Sequence, residues 1–234
     1  MTRMLDPAIY AALKAVDTPT ICNAIEAIEG RRRNDGFTRS TVIAAQPHLP
    51  AMVGFAKTAI IRADHPSQEP PVVVRERRLG YYRYIAAGAG PRLVVIEDRS
   101  DHKGLGAFWG EVNVALHKGL GLEGVLTEGA IRDLGAVDPD FPMLAGTISP
   151  RHAFVRIEAM DETVTVFGLT VRPGDLIHAD RHGAVIIEPG VEIELPRAID
   201  LVTRKEKPLL EAARAPDFTV DKLLAAWGEA EDVH

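Results

Sequence analysis

Glu111 is followed, after twenty residues, by the dipeptide Arg132-Asp133. Two carboxylates and a guanidinium at this spacing suit a hard divalent cation, which takes oxygen ligands and keeps several waters when only one or two carboxylates hold it. In that arrangement Asp133 binds the metal directly and Glu111 through a water. The planar fork of Arg132 then meets a substrate carboxylate or an enolate oxygen. The same residues have a plainer reading, because an Arg-Asp pair after a strand is often a surface ion pair or a helix cap. Which reading holds depends on the elements that place them.

Residues 92–98 are a short, nearly continuous apolar run of the kind found in buried strands. A loop containing Gly104 and Gly106 follows, then a helix predicted over about 108–120, a strand over 124–127, and a turn into Ala130-Ile131-Arg132-Asp133. Strand-helix-strand order implies a right-handed crossover. It puts loops 98–110 and 127–133 at the carboxyl ends of neighbouring strands, the edge at which ligands usually bind. Upstream, Ile9, Leu13 and Val16, then Ile21, Ile25 and Ile28, recur at three or four residues and predict two short helices over 6–29. Thr18 is the expected cap of the second, with Pro19 in its first turn. Residues 52–62 read as a strand, 64–71 as a loop punctuated by His65-Pro66 and Pro70-Pro71, and 78–87 as a helix with a Tyr-rich face. Downstream, 154–157, 163–167, 176–179 and 184–187 read as short strands parted by turns such as Arg172-Pro173-Gly174-Asp175. Residues 191–229 read as amphipathic helices broken at Pro208 and Pro216.

Composition narrows the function classes. The 234 residues are 46% hydrophobic and 26% charged, enough to bury a sizeable core, so one domain or one domain with helical arms is expected. A net charge of −6 gives no overall pull toward phosphate backbones, and Arg31-Arg32-Arg33 before Asn34-Asp35-Gly36 reads as a solvated turn; no nucleic-acid partner is expected. Cys22, the only cysteine, permits no intrachain disulfide and reads as a buried structural thiol, which fits a reducing cytoplasm. The opening Met1-Thr2-Arg3-Met4-Leu5-Asp6 lacks the apolar core of a signal peptide, and no uncharged apolar stretch is long enough for a membrane span.

Three other clusters invite and fail a sharper reading. His178-Ala179-Asp180-Arg181-His182 alternates metal-ligand types, but it enters a turn at Gly183, where local hydrogen bonds are the better account. Gly104-Leu105-Gly106 with Gly110 lacks the spacing and the lysine of a phosphate loop. Tyr81, Tyr82 and Tyr84 have helical spacing that favours packing on a sheet or an oligomer interface over base stacking.

The stretch from Gly110 to Asp133, ending in Thr127-Glu128-Gly129-Ala130-Ile131-Arg132-Asp133, resembles the RraA-like family that includes the 4-hydroxy-4-methyl-2-oxoglutarate aldolases. Those proteins carry an acidic residue, twenty residues, then Arg-Asp, with a glycine-alanine-valine/isoleucine run before the Arg. Ala12-Leu13-Lys14-Ala15-Val16-Asp17-Thr18-Pro19-Thr20 resembles the family's opening helix and turn. Phe141-Pro142-Met143 is similar to its strand after the motif, and Pro173-Gly174-Asp175 with Asp180 and Gly183 to its later hairpin, so the likeness covers most of 8–190. The resemblance implies that Gly110, Glu111, Val112 and Asn113 hold a 2-oxo acid largely through backbone amides, that Arg132 contacts the substrate, and that Asp133 ligates magnesium or manganese. A helix start with free amide donors is physically suited to a carboxylate. Glu111 and Glu128 stand where the aldolases commonly have Asp, which moves each carboxylate outward by one methylene. The family's further metal-shell carboxylate comes from the carboxy-terminal region of an adjacent subunit; Glu206 is the candidate here.

The expected fold is therefore α/β: a swivelling β/β/α-type domain with a central sheet, flanking helices and a C-terminal helical arm. It forms a single domain over 1–234, with the helices of 1–30 and 191–234 at subunit interfaces of the homotrimer or homohexamer that the resemblance implies. The expected activity is that of a cytoplasmic class II type aldolase or decarboxylase. It would be a lyase that cleaves 4-hydroxy-2-oxo acids to pyruvate and a second carbonyl compound and decarboxylates oxaloacetate, with Arg132 and Glu111 catalytic. The rival expectation is a non-catalytic regulator that binds a ribonuclease. Within the family, the regulator type lacks the metal-binding Asp that this chain has at 133.

Overall fold

Val94 and Ile96 point to one side of their strand, Leu93 and Val95 to the other, and all four are fully buried. A strand with two dry faces needs cover on both, and the computed structural model, which describes residues 4–233, supplies it. Met1, Thr2 and Arg3 of the opening read for a leader lie outside the described residues, as does His234. Strand β3 (Arg92–Asp98) is flanked in parallel by β2 (Met52–Arg62) and β5 (Leu122–Ile131), and β6 (Met143–Ile148) continues the parallel set. The two-residue β1 (Ile43–Ala44) closes one edge. The antiparallel hairpin β10 (Leu176–Asp180) and β11 (Gly183–Ile187) closes the other. Two short strands extend the sheet beyond its centre: β4 (Ala107–Trp109) on the far end of β5, and β7 (Arg156–Met160) on the far end of β2.

Helices α3 (Pro71–Ala86) and α4 (Glu111–Gly119) cover one face, burying Tyr81, Ile85 and Val114 against Val94, Ile96 and Trp109. The separate ribbon β8 (Val164–Val166) and β9 (Leu169–Val171) lies over Leu93 and Val95 on the other. The helices α1 (Pro7–Lys14), α2 (Thr18–Glu29) and α5 (Val191–Arg214) bury Leu13, Ile21 and Leu195 against the hairpin end of the sheet, and α6 (Val220–Glu231) packs on α5. The expected α/β class, with central sheet, flanking helices and C-terminal helical arm, is borne out.

Several boundaries differ from expectation for local reasons. Helix α4 starts at Glu111 and not near 108, because residues 107–109 pair with β5 and Gly110 is fully extended. Strand β5 runs on to Ile131, so Ala130-Ile131 is strand and not turn, with a register shift against β6 between Thr127 and Ala130. Helix α3 begins at Pro71, seven residues early, since a proline in the first turn forfeits no intrahelical bond. Helix α5 continues through Pro208, where a break was expected: packing against α2 and α6 outweighs the one missing hydrogen bond. The cap of α2 is Asp17, accepting from the Thr20 amide at 3.0 Å, while the Thr18 hydroxyl turns to His178.

Beneath α4 lies the network that holds it on the sheet. His117 is buried, its ring centroid 4.3 Å from that of Trp109 with the planes tilted by 52°. Its Nδ1 donates to the Asn113 carbonyl at 2.6 Å, so its Nε2 accepts from the Tyr81 hydroxyl at 2.7 Å. Burial pushes the imidazole pKa down to about 4. Below the ordinary value of about 6.5 the unfolded chain binds a proton that the folded imidazole refuses. The contribution is whole above that pH and is lost toward pH 4, by about 3 kcal/mol at most. His178, also lowered by burial, adds a slope of the same sign. Urea unfolding at pH 7 and pH 5 is therefore expected to show lower stability at pH 5, with a shallower slope in His117→Gln. An unchanged slope in that variant would assign the effect elsewhere.

Candidate functional site

Loop 98–110 is shaped by a buried acid. Asp98, at the end of β3 and fully buried, accepts from the amides of Ser100 at 2.9 Å and Gly104 at 2.8 Å; the Ser100 hydroxyl accepts from the Ala63 amide at 2.8 Å and ties the loop to β2. Gly104 has φ +77° and lies where a side chain would strike Thr147, so it serves close packing. The chain then returns to the sheet as β4 and delivers Gly110 beside the end of β5.

There the expected residues meet. The Arg132 amide donates to the Trp109 carbonyl at 2.9 Å, fixing the end of β5 to the end of β4. Asp133 sits at φ +57°, a left-handed conformation that Asp tolerates better than most residues. Its Oδ2 accepts from the Glu111 amide at 3.2 Å, and its Oδ1 meets the Arg132 Nη1 at 3.3 Å. A Cβ on Gly110 would lie 2.5 Å from Asp133 Oδ2 and 3.1 Å from Arg132 Cγ and Nε, so only glycine fits. Asp133 thus caps α4 from outside the helix, which has no cap of its own. It is the Glu111 amide that makes this contact. The Glu111 carboxylate is exposed and forms no hydrogen bond or ion pair among the described residues.

A cleft of about 540 Å³ opens at this point, lined by Gly110, Val112, Asn113 and Arg132 together with Pro66, Ser67, Val74 and Arg78 of the stretch 64–78, on which side-chain selection was expected to depend, and with Phe108 and the segment 152–156 leading into β7, which sequence reading did not single out. Arg132 also lines an adjoining cavity of about 760 Å³ that includes Asp64 and residues 149–154. Asp133 lines neither; its carboxylate lies against Gly110, which lines the first. The first cleft holds three guanidiniums (Arg78, Arg132, Arg156) and no Asp or Glu, and the amide end of α4 adds positive potential, so it suits an anion. The Asn113 side chain is already spent: Oδ1 accepts from the Tyr82 hydroxyl at 2.8 Å and Nδ2 donates to the Phe108 carbonyl. What Asn113 and Val112 retain for a ligand is backbone. Phe154, 52% exposed beside the cleft, carried no periodic or motif signal by which sequence could find it.

Hard cation donors occur in two places. The carboxylate of Asp133 is 31% exposed, and its two contacts are long enough to leave lone pairs for an ion. Asp64, His65 and Asp101 bring ligand atoms within 4.8 Å of one another at the second cavity. There Asp64 already accepts from the Asp101 amide at 2.9 Å and the His65 amide at 3.0 Å, bonds that lower its pKa and close the loop. The His178 to His182 cluster is used internally: His178 lies between the Thr18 hydroxyl and the Leu13 carbonyl, and Asp180 accepts from the amides of Thr18 and His182. Cys22 is half-buried and not fully buried, and burial raises its thiol pKa. Tyr81 and Tyr84 pack on the sheet as their spacing implied.

Comparison with known proteins follows the same lines. The model of the RraA-like family, described as Aldolase/RraA, matches residues 18–186. Over 88 residues the chain is 33% identical to a Halalkalibacterium halodurans protein provisionally named 4-hydroxy-4-methyl-2-oxoglutarate aldolase. That alignment spans 37% of this chain and 42% of the relative. Two solved structures share the fold: an uncharacterized protein from Pseudomonas syringae pv. tomato (TM-score 0.71, 16% identity, 96% of each chain) and Streptomyces coelicolor RraAS2, described as an unusual member of the RNase ES inhibitor RraA family (TM-score 0.65, 22% identity, 91% of this chain and 99% of that one).

The two ends of α4 give a paired test. Gly110→Ala should cost about 1–3 kcal/mol by overpacking against Arg132 and Asp133. Gly119→Ala, where a Cβ meets nothing within 4 Å, should gain about 0.5–1 kcal/mol in helix propensity. Urea denaturation of both variants checks the pair, and equal effects would contradict the packing described.

Proposed function

The chain belongs to the RraA-like family, and on that footing we propose that it is a divalent-metal-dependent lyase that cleaves 4-hydroxy-2-oxo acids to pyruvate and a second carbonyl compound and also decarboxylates oxaloacetate. The observation that carries this is the Arg132-Asp133 pair set against the first amide of α4, beside a cleft whose lining has three guanidiniums and no acid.

In this reading the amides of Val112 and Asn113 donate to the substrate carboxylate, as a helix start whose side-chain cap meets the Glu111 amide alone favours. The Arg132 guanidinium faces the 2-oxo oxygen and stabilises the negative charge that gathers there as the C3–C4 bond breaks and its electron pair passes to C3. The Glu111 carboxylate takes the 4-hydroxyl proton through an intervening water as C4 becomes a carbonyl, and a proton returned through that water to C3 of the enolate gives pyruvate. With oxaloacetate carbon dioxide leaves instead and no base is needed. Asp133 would hold magnesium or manganese, and its hard, singly charged oxygen donors fit an ion that keeps most of its waters. When bound, the cation supplies Lewis acidity toward the 2-oxo group.

We read residues 1–234 as one domain that assembles into a homotrimer or a dimer of trimers in the cytoplasm. In support, α6 leaves Val220, Leu224 and Trp227 at 70, 65 and 54% exposure on one face, and no helix among the described residues is long and apolar enough to cross a membrane. Glu206 on α5 reaches Asn23 at 3.5 Å and stays the candidate for a carboxylate shared between subunits.

The test is pyruvate release from a 4-carboxy-4-hydroxy-2-oxo acid and from oxaloacetate, with and without magnesium. Removing the Arg132 donor by Arg132→Ala should lower kcat by about 10²–10³, and Asp133→Ala or excess chelator should abolish the metal response. Unaltered turnover in Asp133→Ala would sink the proposal. Recovery of a ribonuclease with the purified chain, in the absence of metal binding and lyase activity, would replace it with the regulator.

A further inference from the structure

The carboxyl end of α3 covers a second cavity, of about 590 Å³, that the chemistry of the cleft leaves unused. Its lining includes Lys57, Tyr84, Gly88, Arg92, Asp161 and Gly174. Val74 at the cleft and Tyr84 here stand about 15 Å apart along α3, at a helical rise of about 1.5 Å per residue, so the two sites are separate.

Lys57 enters this cavity from the middle of β2, where that strand changes neighbours. Strand β10 pairs with β2 as far as Phe55 and β7 takes over at Ala59, which leaves Lys57 between them. It alternates with Ala59 and Ile61, which pack beneath α3, so its side chain is on the α3 face. The Nζ lies 4.5 Å from the Tyr84 ring centroid and, among the described residues, forms no hydrogen bond or ion pair. Gly88, at φ +101°, keeps the approach open, since a Cβ there would stand 3.8 Å from Nζ.

Arg92 supplies a second cation that is fixed in place. Its Nη1 donates to the carbonyls of Ile85 at 2.9 Å and Ala86 at 2.6 Å and its Nη2 to that of Leu120 at 3.2 Å, while Nε is buried without a partner. Asp161, the one acid in the lining, interacts with the Tyr84 hydroxyl. Burial and then the Arg92 charge push the Lys57 pKa down, against a smaller pull from Asp161. A half-buried amine without a counter-ion, beside a fixed cation and open to a cavity, meets the needs of an imine-forming lysine: a lone pair within reach of neutral pH and room for an electrophile.

We infer that Lys57 is a carbonyl-reactive amine that condenses with small 2-oxo acids, at a site distinct from the cleft and independent of the lyase reading. The Nζ lone pair forms a bond to the carbonyl carbon, the C=O bond breaks, and both amine hydrogens leave with the oxygen as water. Nothing is oxidised or reduced. The carboxylate of the acid faces the Arg92 charge.

The experiment incubates the full chain, in excess chelator so that no metal takes part, with pyruvate and cyanoborohydride. The reductant delivers hydride to the imine carbon while water protonates the nitrogen, and labelled lysines are mapped by peptide mass. Lys57 is expected to label about fivefold or more faster at pH 7 than the exposed Lys205 and Lys207, and to reach its maximal rate at lower pH than they do. Lys57→Arg, which keeps a cation over Tyr84, should lose the fast phase of incorporation. Acetone, a ketone of similar size without the carboxylate, should show a smaller advantage at Lys57 over the exposed lysines. A Lys57 rate equal to theirs at every pH, as a lysine that only rests on Tyr84 would give, overturns the inference. An equal advantage for acetone removes the part of the carboxylate, and with it the assignment to 2-oxo acids.

Discussion

Helix α4 is preceded by a glycine that has no side chain to cap it, and the Asp133 carboxylate, 22 residues beyond Glu111, accepts from the first of its amides instead. The rest of the site depends on that one hydrogen bond. It draws the end of β5 onto the start of α4, and the missing Cβ of Gly110 is what makes the approach possible. Asp133 accepts a left-handed backbone to reach, and Arg132 is aimed by its own amide on Trp109 and by its partner's charge. The plain reading of an Arg-Asp pair, a cap joined to an ion pair, is thus realised; it leaves Arg132 in the cleft lining and Asp133 behind Gly110, outside that lining.

Rigidity comes from below. The sheet gains β4 just where β3 has ended, and the register shift in β5 lets that strand carry its last residues outward instead of stopping at Thr127. Asp98 gathers the intervening loop around a buried carboxylate with two amide donors, a form of burial that is stable only because those donors are supplied. On the other side, the Tyr81, His117 and Asn113 chain holds α4 by neutral hydrogen bonds in a dry setting. A neutral network suits this place, since an unpaired charge in a dry setting would be costly.

The cleft itself separates signs of charge. Its lining is cationic and partly aromatic, and the carboxylates near it are set aside: Asp133 against Gly110, Glu158 on Arg156, and Asp64 in the adjoining cavity. Arg132 joins the two cavities, so a ligand in either one meets its guanidinium.

Much of this was legible in the residues. The apolar run of 92–98, the strand of 52–62, the strand-helix-strand order and the placing of Arg132-Asp133 at a carboxyl edge all depend on local periodicity, which a sequence carries directly. Gly110, Glu111 and Asn113 were pointed to by the family resemblance and not by periodicity, and Glu111 does open α4. Tertiary structure alone decided that the Glu111 amide and not its carboxylate meets Asp133, that α5 runs through Pro208, and that Arg78 and residues 152–156 complete the wall. The reason is physical: spacing along a chain fixes which residues share a face, whereas a cleft is made by faces brought together from strands and helices far apart in sequence, and burial and pairing settle which of their groups are left free.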